Sequence, residues 1–143
     1  MKINTYLTFD GNGQQAMEFY KQCLGADMFV MKFGDSPAAN TPHCPESAKD
    51  RLMHAALSKD GGKPFLMASD CMPGMPFQQG NNFSVMLDCQ TTDEINSLFA
   101  NFSDGATIMM PLQQTFWSPR YGMLKDKFGI HWMFNLEQQQ PQG

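Results

Sequence analysis

Three histidines and four cysteines are the side chains of this 143-residue sequence with the widest chemical reach, as metal ligands, nucleophiles or proton carriers. Cys23, Cys44, Cys71 and Cys89 form no CxxC pair and read as free thiols in a reducing compartment. His43 and Cys44 are adjacent in a proline-rich stretch and have no spaced partner that would complete a metal set. His54 alternates with Met53, Ala55 and Leu57. Those three are expected to pack against a helix, which turns His54 to the opposite face of its strand. By the same alternation Ile130, Trp132 and Phe134 pack inward and leave His131, Met133 and Asn135 on the open side. His54 and His131 could then act as metal ligands or general bases, or serve as polar groups that hydrogen-bond their neighbours.

Several enzyme classes lack their local signatures: there is no GxSxG elbow, no GxxxxGK[ST] loop, and no GxGxxG opening a helix after a strand. The net charge is −4 and the ten Lys and Arg residues are scattered, so nucleic acid is not an expected partner. No apolar run approaches the roughly 18–20 residues that span a bilayer, and the first residues lack the segments of a signal peptide. A cytoplasmic protein with no membrane partner is expected. Apolar residues at 42% and charged residues at 17% supply a core without the profile of disorder, and residues 1–143 suit a single soluble domain. Thirteen methionines are many for this length; Met is a flexible, polarisable filler of irregular cores and adaptable pockets.

The elements that must position these residues occur twice in one order. Ile3 to Phe9 alternates as a strand, and Ala16, Phe19, Tyr20, Cys23 and Leu24 then mark one apolar face of a helix. Asn12 is the expected N-cap and Gly25 the stop, after which Met28 to Phe33 reads as a strand. Arg51 to Ser58 and Pro64 to Ser69 follow, joined by the turn Lys59-Asp60-Gly61-Gly62. In the second half Phe83 to Cys89 is a strand. Thr91 and Glu94 form a capping-box pattern before Ile95, Leu98, Phe99 and Phe102, and Gly105-Ala106 leads to the next strand as Gly25-Ala26 does. Tyr121 to Lys125 and Ile130 to Leu136 close the module around Asp126-Lys127-Phe128-Gly129, where Asp126 and Gly129 are read as turn residues. The fold class is therefore α+β: tandem βαβββ modules at 1–70 and 83–137, joined by a linker at 71–82. Gly34 to Asp50 is expected to be an irregular loop, and the tail from Gln138 to be frayed.

This order, together with particular residues, resembles the vicinal oxygen chelate superfamily, the glyoxalase/bleomycin resistance/dioxygenase fold of cupped mixed sheets with helices outside. The resemblance is carried by Tyr6-Leu7-Thr8-Phe9 with Gly11, by Phe19-Tyr20 and Leu24-Gly25-Ala26, and by Asp126 to Trp132. Phe116-Trp117 and the stretch Glu137 to Pro141 are similar to the PhnB-like branch, whose members are often described as 3-demethylubiquinone-9 3-methyltransferases. Nothing in the sequence resembles a loop for S-adenosylmethionine.

The resemblance implies that metal-dependent members place ligands in the cup from the first, fourth, fifth and eighth strands. Here those places fall on Thr5, Met67, Ser84 and Met133, and neutral hydroxyls and thioethers bind Zn, Ni, Mn or Fe poorly. Alternation keeps Val85 and Leu87 on the helix side and leaves Ser84, Met86 and Asp88 facing the cup. Trp117, Phe116 and Tyr121 fall beside its mouth, as an aromatic lip for a flat ligand or as a core or dimer contact. The candidate pocket comprises Thr5, His54, Met67, Ser69, Ser84, Met86, Trp117, Tyr121, His131 and Met133, with no metal and no cofactor. Two functions follow from different classes. One is a metal-free binding domain for a small, partly apolar molecule, in the manner of the superfamily's sequestering resistance proteins. The other is a lyase, isomerase or dioxygenase-type enzyme with a relocated metal or a histidine acid/base site. A homodimer is expected to cover the open sheet edges.

Overall fold

A computed structural model describes residues 1–138, so the expected fraying beyond Gln138 and the resemblance at Pro141 lie outside the described residues. The chain divides into two compact units, Met1–Gln78 and Gln79–Gly143, and the boundary falls inside the expected linker. In the first unit β1 (Thr5–Phe9), α1 (Gly13–Leu24), β2 (Asp27–Lys32), β3 (Leu52–Ser58) and β4 (Leu66–Asp70) follow one another. In the second, β5 (Val85–Cys89), α2 (Thr92–Phe102), β6 (Thr107–Gln113), β7 (Tyr121–Lys125) and β8 (His131–Leu136) repeat that order. The sheet orders are β1-β4-β3-β2 and β5-β8-β7-β6, and in each the first strand of the module lies parallel to the last while the other pairs are antiparallel. Identical connectivity in both units is the duplication expected from the sequence.

Each helix buries one stripe on one face of its sheet. Ala16, Met17, Tyr20 and Cys23 of α1 are buried, as are Leu7, Phe9, Ala55, Leu57, Leu66 and Ala68 from the strands. In the second unit Ile95 and Phe102 of α2 are fully buried with Leu124, Trp132 and Phe134. Phe102 lies 4.5 Å from the Trp132 ring and 5.6 Å from that of Phe134, and Phe99 meets Phe134 edge-on at 5.1 Å.

The helix ends are held in two ways. At α2 the capping box forms in part: Thr91 Oγ1 accepts the Glu94 amide at 3.1 Å, and Glu94 Oε1 accepts the amide of Gln90 at 2.9 Å. At α1 the expected cap fails, because the Asn12 side chain makes no capping bond. Asp70, at the far end of β4, replaces it by accepting the amides of Gly11 at 3.0 Å and Gly13 at 2.9 Å. Gly25 ends α1 in the left-handed conformation, and the amide of Ala26 closes on the Lys21 carbonyl. The 34–50 loop has little regular structure beyond the 3-10 turns Phe33–Asp35 and Glu46–Ala48, and it is anchored by buried Ser36, Cys44 and Ala48.

Candidate functional site

In the first unit, strand parity decides which side chains face away from α1. Leu7 and Phe9 are buried on the helix side, so Tyr6 and Thr8 take the open face, in register with Met67 and Ser69 of β4. Thr5 shares the parity of Leu7 and pairs with buried Leu66, which corrects its expected place in the cup; Tyr6 stands there instead. Met53 is a second correction. One residue step on β2, from Met31 to Lys32, faces two on β3, from His54 to Leu52, so Met53 is the extra residue of a bulge and fully buried Leu52 packs beside α1 in its stead. His54 does lie on the open face. Its Nδ1 is 3.2 Å from the Tyr6 hydroxyl, the two rings stack at 5.9 Å and 27°, and Phe29 flanks it at 6.3 Å.

In the second unit the open face carries an alignment that periodicity alone does not reveal. Met86 pairs with Met133, Met133 with Met123, and Met123 with Met110, giving one methionine on each of the four strands in a single transverse row. Met133 lies between Trp132 and Phe134, both buried beside α2, and so the row faces away from the helix. The neighbouring row holds Asp88, Asn135, Tyr121 and Gln113, with Asn135 Nδ2 donating to Asp88 Oδ1 at 3.0 Å. Tyr121 meets Trp117 edge-on at 5.4 Å, and Phe116 meets Trp117 at 4.7 Å. Burial pushes the Tyr121 phenol upward from its ordinary value. Ser118, itself buried, ties this aromatic segment down by donating to the Arg120 carbonyl at 2.9 Å. His131 shares this face and pairs with Lys125, and Ser84 immediately precedes β5.

Two buried carboxylates build the frame around these faces. Asp70 accepts the Leu52 amide at 2.7 Å besides the two glycine amides. Asp126 accepts the amides of Phe128 at 2.7 Å and Ile130 at 3.1 Å on one oxygen, and the Trp132 indole N–H at 2.7 Å on the other. Gly129 completes that turn with φ +90, and a side chain there would run into Gln79. A third polar group joins Asp10, Arg51 and Cys71. The hydrogen bond from Arg51, then that from Cys71, holds the Asp10 carboxyl below its ordinary range, while burial raises the Cys71 thiol. A polar depression of about 380 Å³ beside the start of α1 is lined by Gly11, Gln14, Gln15, Glu18, Lys32, Asp50 and Asp70, none of which the sequence had singled out as a ligand group.

A duplicated βαβββ unit with a helix packed on one face of each four-stranded mixed sheet is the architecture of the glyoxalase/bleomycin resistance/dioxygenase superfamily. The fold agrees with a solved member from Frankia sp. EAN1pec, with a TM-score of 0.66 at 14% identity over 96% of this chain and 98% of that one. The profile of the family described as 3-demethylubiquinone-9 3-methyltransferase matches residues 1–134, and the chain belongs to that PhnB-like family. Protein YjdN of Escherichia coli (strain K12) is 34% identical over 149 aligned residues, covering 99% of each chain. The crystal structure of protein PA1353 from Pseudomonas aeruginosa is 38% identical with a TM-score of 0.84, covering 97% of this chain and 99% of that one. A PhnB protein from Bacillus cereus follows at 25% identity and a TM-score of 0.75, covering 96% of this chain and all of its own.

The superfamily implies a divalent metal, and this chain's residues do not suit one. Among the described residues no group of three or more His, Cys, Asp and Glu is gathered so that it could hold a metal ion. The side chains at the implied ligand positions, Tyr6 and Met67 in the first unit and Ser84 and Met133 in the second, are a phenol, thioethers and a neutral hydroxyl, each a poor ligand for such an ion.

Proposed function

We propose that the protein is a binding domain whose open sheet faces take a small, partly apolar molecule without a divalent metal. The methionine row of the second unit carries this reading. Thioether side chains rearrange around a ligand at low cost, and Trp117 and Tyr121 add an aromatic wall with a polar edge at Asn135 and Asp88. Met86 and Trp117 are about half exposed, at 50% and 49%, so the row is reachable. Titration of 1-indanone into protein carrying ¹³C-methyl methionine tests it. The resonances of Met86, Met110, Met123 and Met133 are expected to move together while those of Met1 and Met75 stay. Shifts spread over all methionines, or none, would remove the reading.

The same proposal places the protein in the cytoplasm as a homodimer. Its support is that edge strands β2 and β6 carry exposed Val30, Ile108 and Met109, apolar edges that a second copy would cover. Light scattering that returns the 16.1 kDa monomer at every concentration would contradict it.

A further inference from the structure

We infer that His54, held by Tyr6, is a hydrogen-bond donor that reads the carbonyl oxygen of a planar aromatic ligand on the open face of the first sheet. The inference rests on the reading of these faces as small-molecule sites and names the ligand class. The Tyr6 hydroxyl and His54 Nδ1 are 3.2 Å apart. A phenol O–H is the stronger acid of the pair and imidazole nitrogen the stronger base, whereas a phenol oxygen is a weak acceptor. Tyr6 therefore donates, Nδ1 accepts, and the proton of the neutral ring resides on Nε2. That Nε2–H has no partner among the described residues, and Tyr6 is 48% exposed, so the pair is accessible from solvent.

The surroundings select the acceptor. Tyr6 stacks on His54 at 27° and Phe29 tilts against it at 49°, so a ligand meeting the Nε2–H also meets aromatic faces and edges. Met67, between β1 and β3 in register with Tyr6 and Ala56, adds a thioether suited to ring contact. The charged residue of this face is Asp27, paired with Ser58 at its far end, and it would repel an anion; no Lys or Arg shares the parity of His54, Phe29 and Tyr6 on these strands. A neutral carbonyl fits, and a carboxylate or phosphate does not.

Tyr6 is in this account a positioning residue, and its role has a signature that simple packing lacks. Long-range ¹⁵N–¹H spectra of histidine-labelled protein are expected to show neutral His54 as the Nε2–H tautomer, and Tyr6→Phe, which keeps the ring, is expected to shift it toward a mixture. Binding of 1-indanone is compared with that of indane, which has the same bicyclic frame without the oxygen. Indanone is expected to bind about three- to tenfold tighter, the range of one hydrogen bond to a neutral acceptor. That preference should vanish in His54→Ala and shrink in Tyr6→Phe. An Nδ1–H tautomer in the parent, or equal binding of the two probes, overturns this inference and leaves the binding-domain reading intact. Failure of both probes to bind overturns both.

Discussion

Replacing Asp126 tests whether one buried carboxylate holds the end of the second unit. Asp126 is 3% exposed and satisfies three donors, the amides of Phe128 and Ile130 and the indole of Trp132. In Asp126→Ala all three lose their acceptor. Phe128 is partly exposed and its amide can turn to water, but Ile130 and Trp132, at 6% and 1%, lie in the core. Two stranded donors at about 1–3 kcal/mol each predict a loss of about 2–6 kcal/mol, a large share of the stability of a domain this size. Asp126→Asn is more selective. Its carbonyl can keep both amides while its NH2 group faces the indole N–H, a donor against a donor, at a cost of about 2 kcal/mol. Adding Trp132→Phe removes the opposed donor, so the double variant should be about 1 kcal/mol more stable than the two single costs would suggest. Urea denaturation followed by far-UV circular dichroism measures the parent and the four variants. The reasoning fails if Asp126→Asn falls within about 0.5 kcal/mol of the parent, or if Trp132→Phe costs the same in both backgrounds.

Other perturbations have equally definite expectations. Thr91→Ala removes the acceptor of the Glu94 amide and should cost about 1 kcal/mol in the same denaturation assay; an unchanged midpoint would show that cap to be idle. Burial, with Glu94, Asp88 and Glu137 nearby, pushes the Cys89 thiol from 9.0 up to about 11, so alkylation of the folded protein should spare Cys89 and reach Cys71 first. Because the folded value is raised, the contribution of Cys89 is fully present below about 9 and is lost as pH climbs toward about 11, and Cys89→Ala should flatten that decline. Millimolar Zn, Ni or Mn should move the melting temperature by less than about 1 °C, since a site without suitable ligands gives no linkage; a rise of several degrees that disappears in His54→Ala or His131→Ala would establish a relocated metal.

Hydrophobic period was enough to read both helices and seven strands, because each element buries one face and its period declares which; β6, Thr107–Gln113, was expected only from the repeat of the first half's order. Period was less able to place individual site residues. Leu7 and Phe9 already fix Tyr6 and Thr8 as the outward pair of β1, but aligning landmarks with metal-dependent relatives put Thr5 in the cup, one residue away and on the wrong face. At β3 the sequence alternates smoothly through Met53, Ala55 and Leu57, and a bulge, which leaves no local mark, substitutes Leu52 for Met53. The Asp70 cap was illegible for another reason: its donors lie 57 and 59 residues away, beyond any local capping pattern. Met86 and Met133 were legible as open-face residues from parity. Joining them to Met123 and Met110 required strand register, which a single sequence does not encode locally.

The residues by which this chain is recognised are for the most part the ones that hold it together. Asp126, Ile130 and Trp132 are buried, bonded to one another and closed by the positive-φ turn at Gly129, while Gly25 ends α1 and Gly11 gives its amide to Asp70. The groups proposed to touch a ligand, Tyr6 with His54 and the four methionines in register, stand on the opposite faces, outside that hydrogen-bonded frame. A family description therefore transfers the scaffold to this chain but not the reaction. The frame's own acids are engaged with the chain, since both oxygens of Asp70 and both of Asp126 accept from it, so any action on a ligand falls to side chains outside the frame.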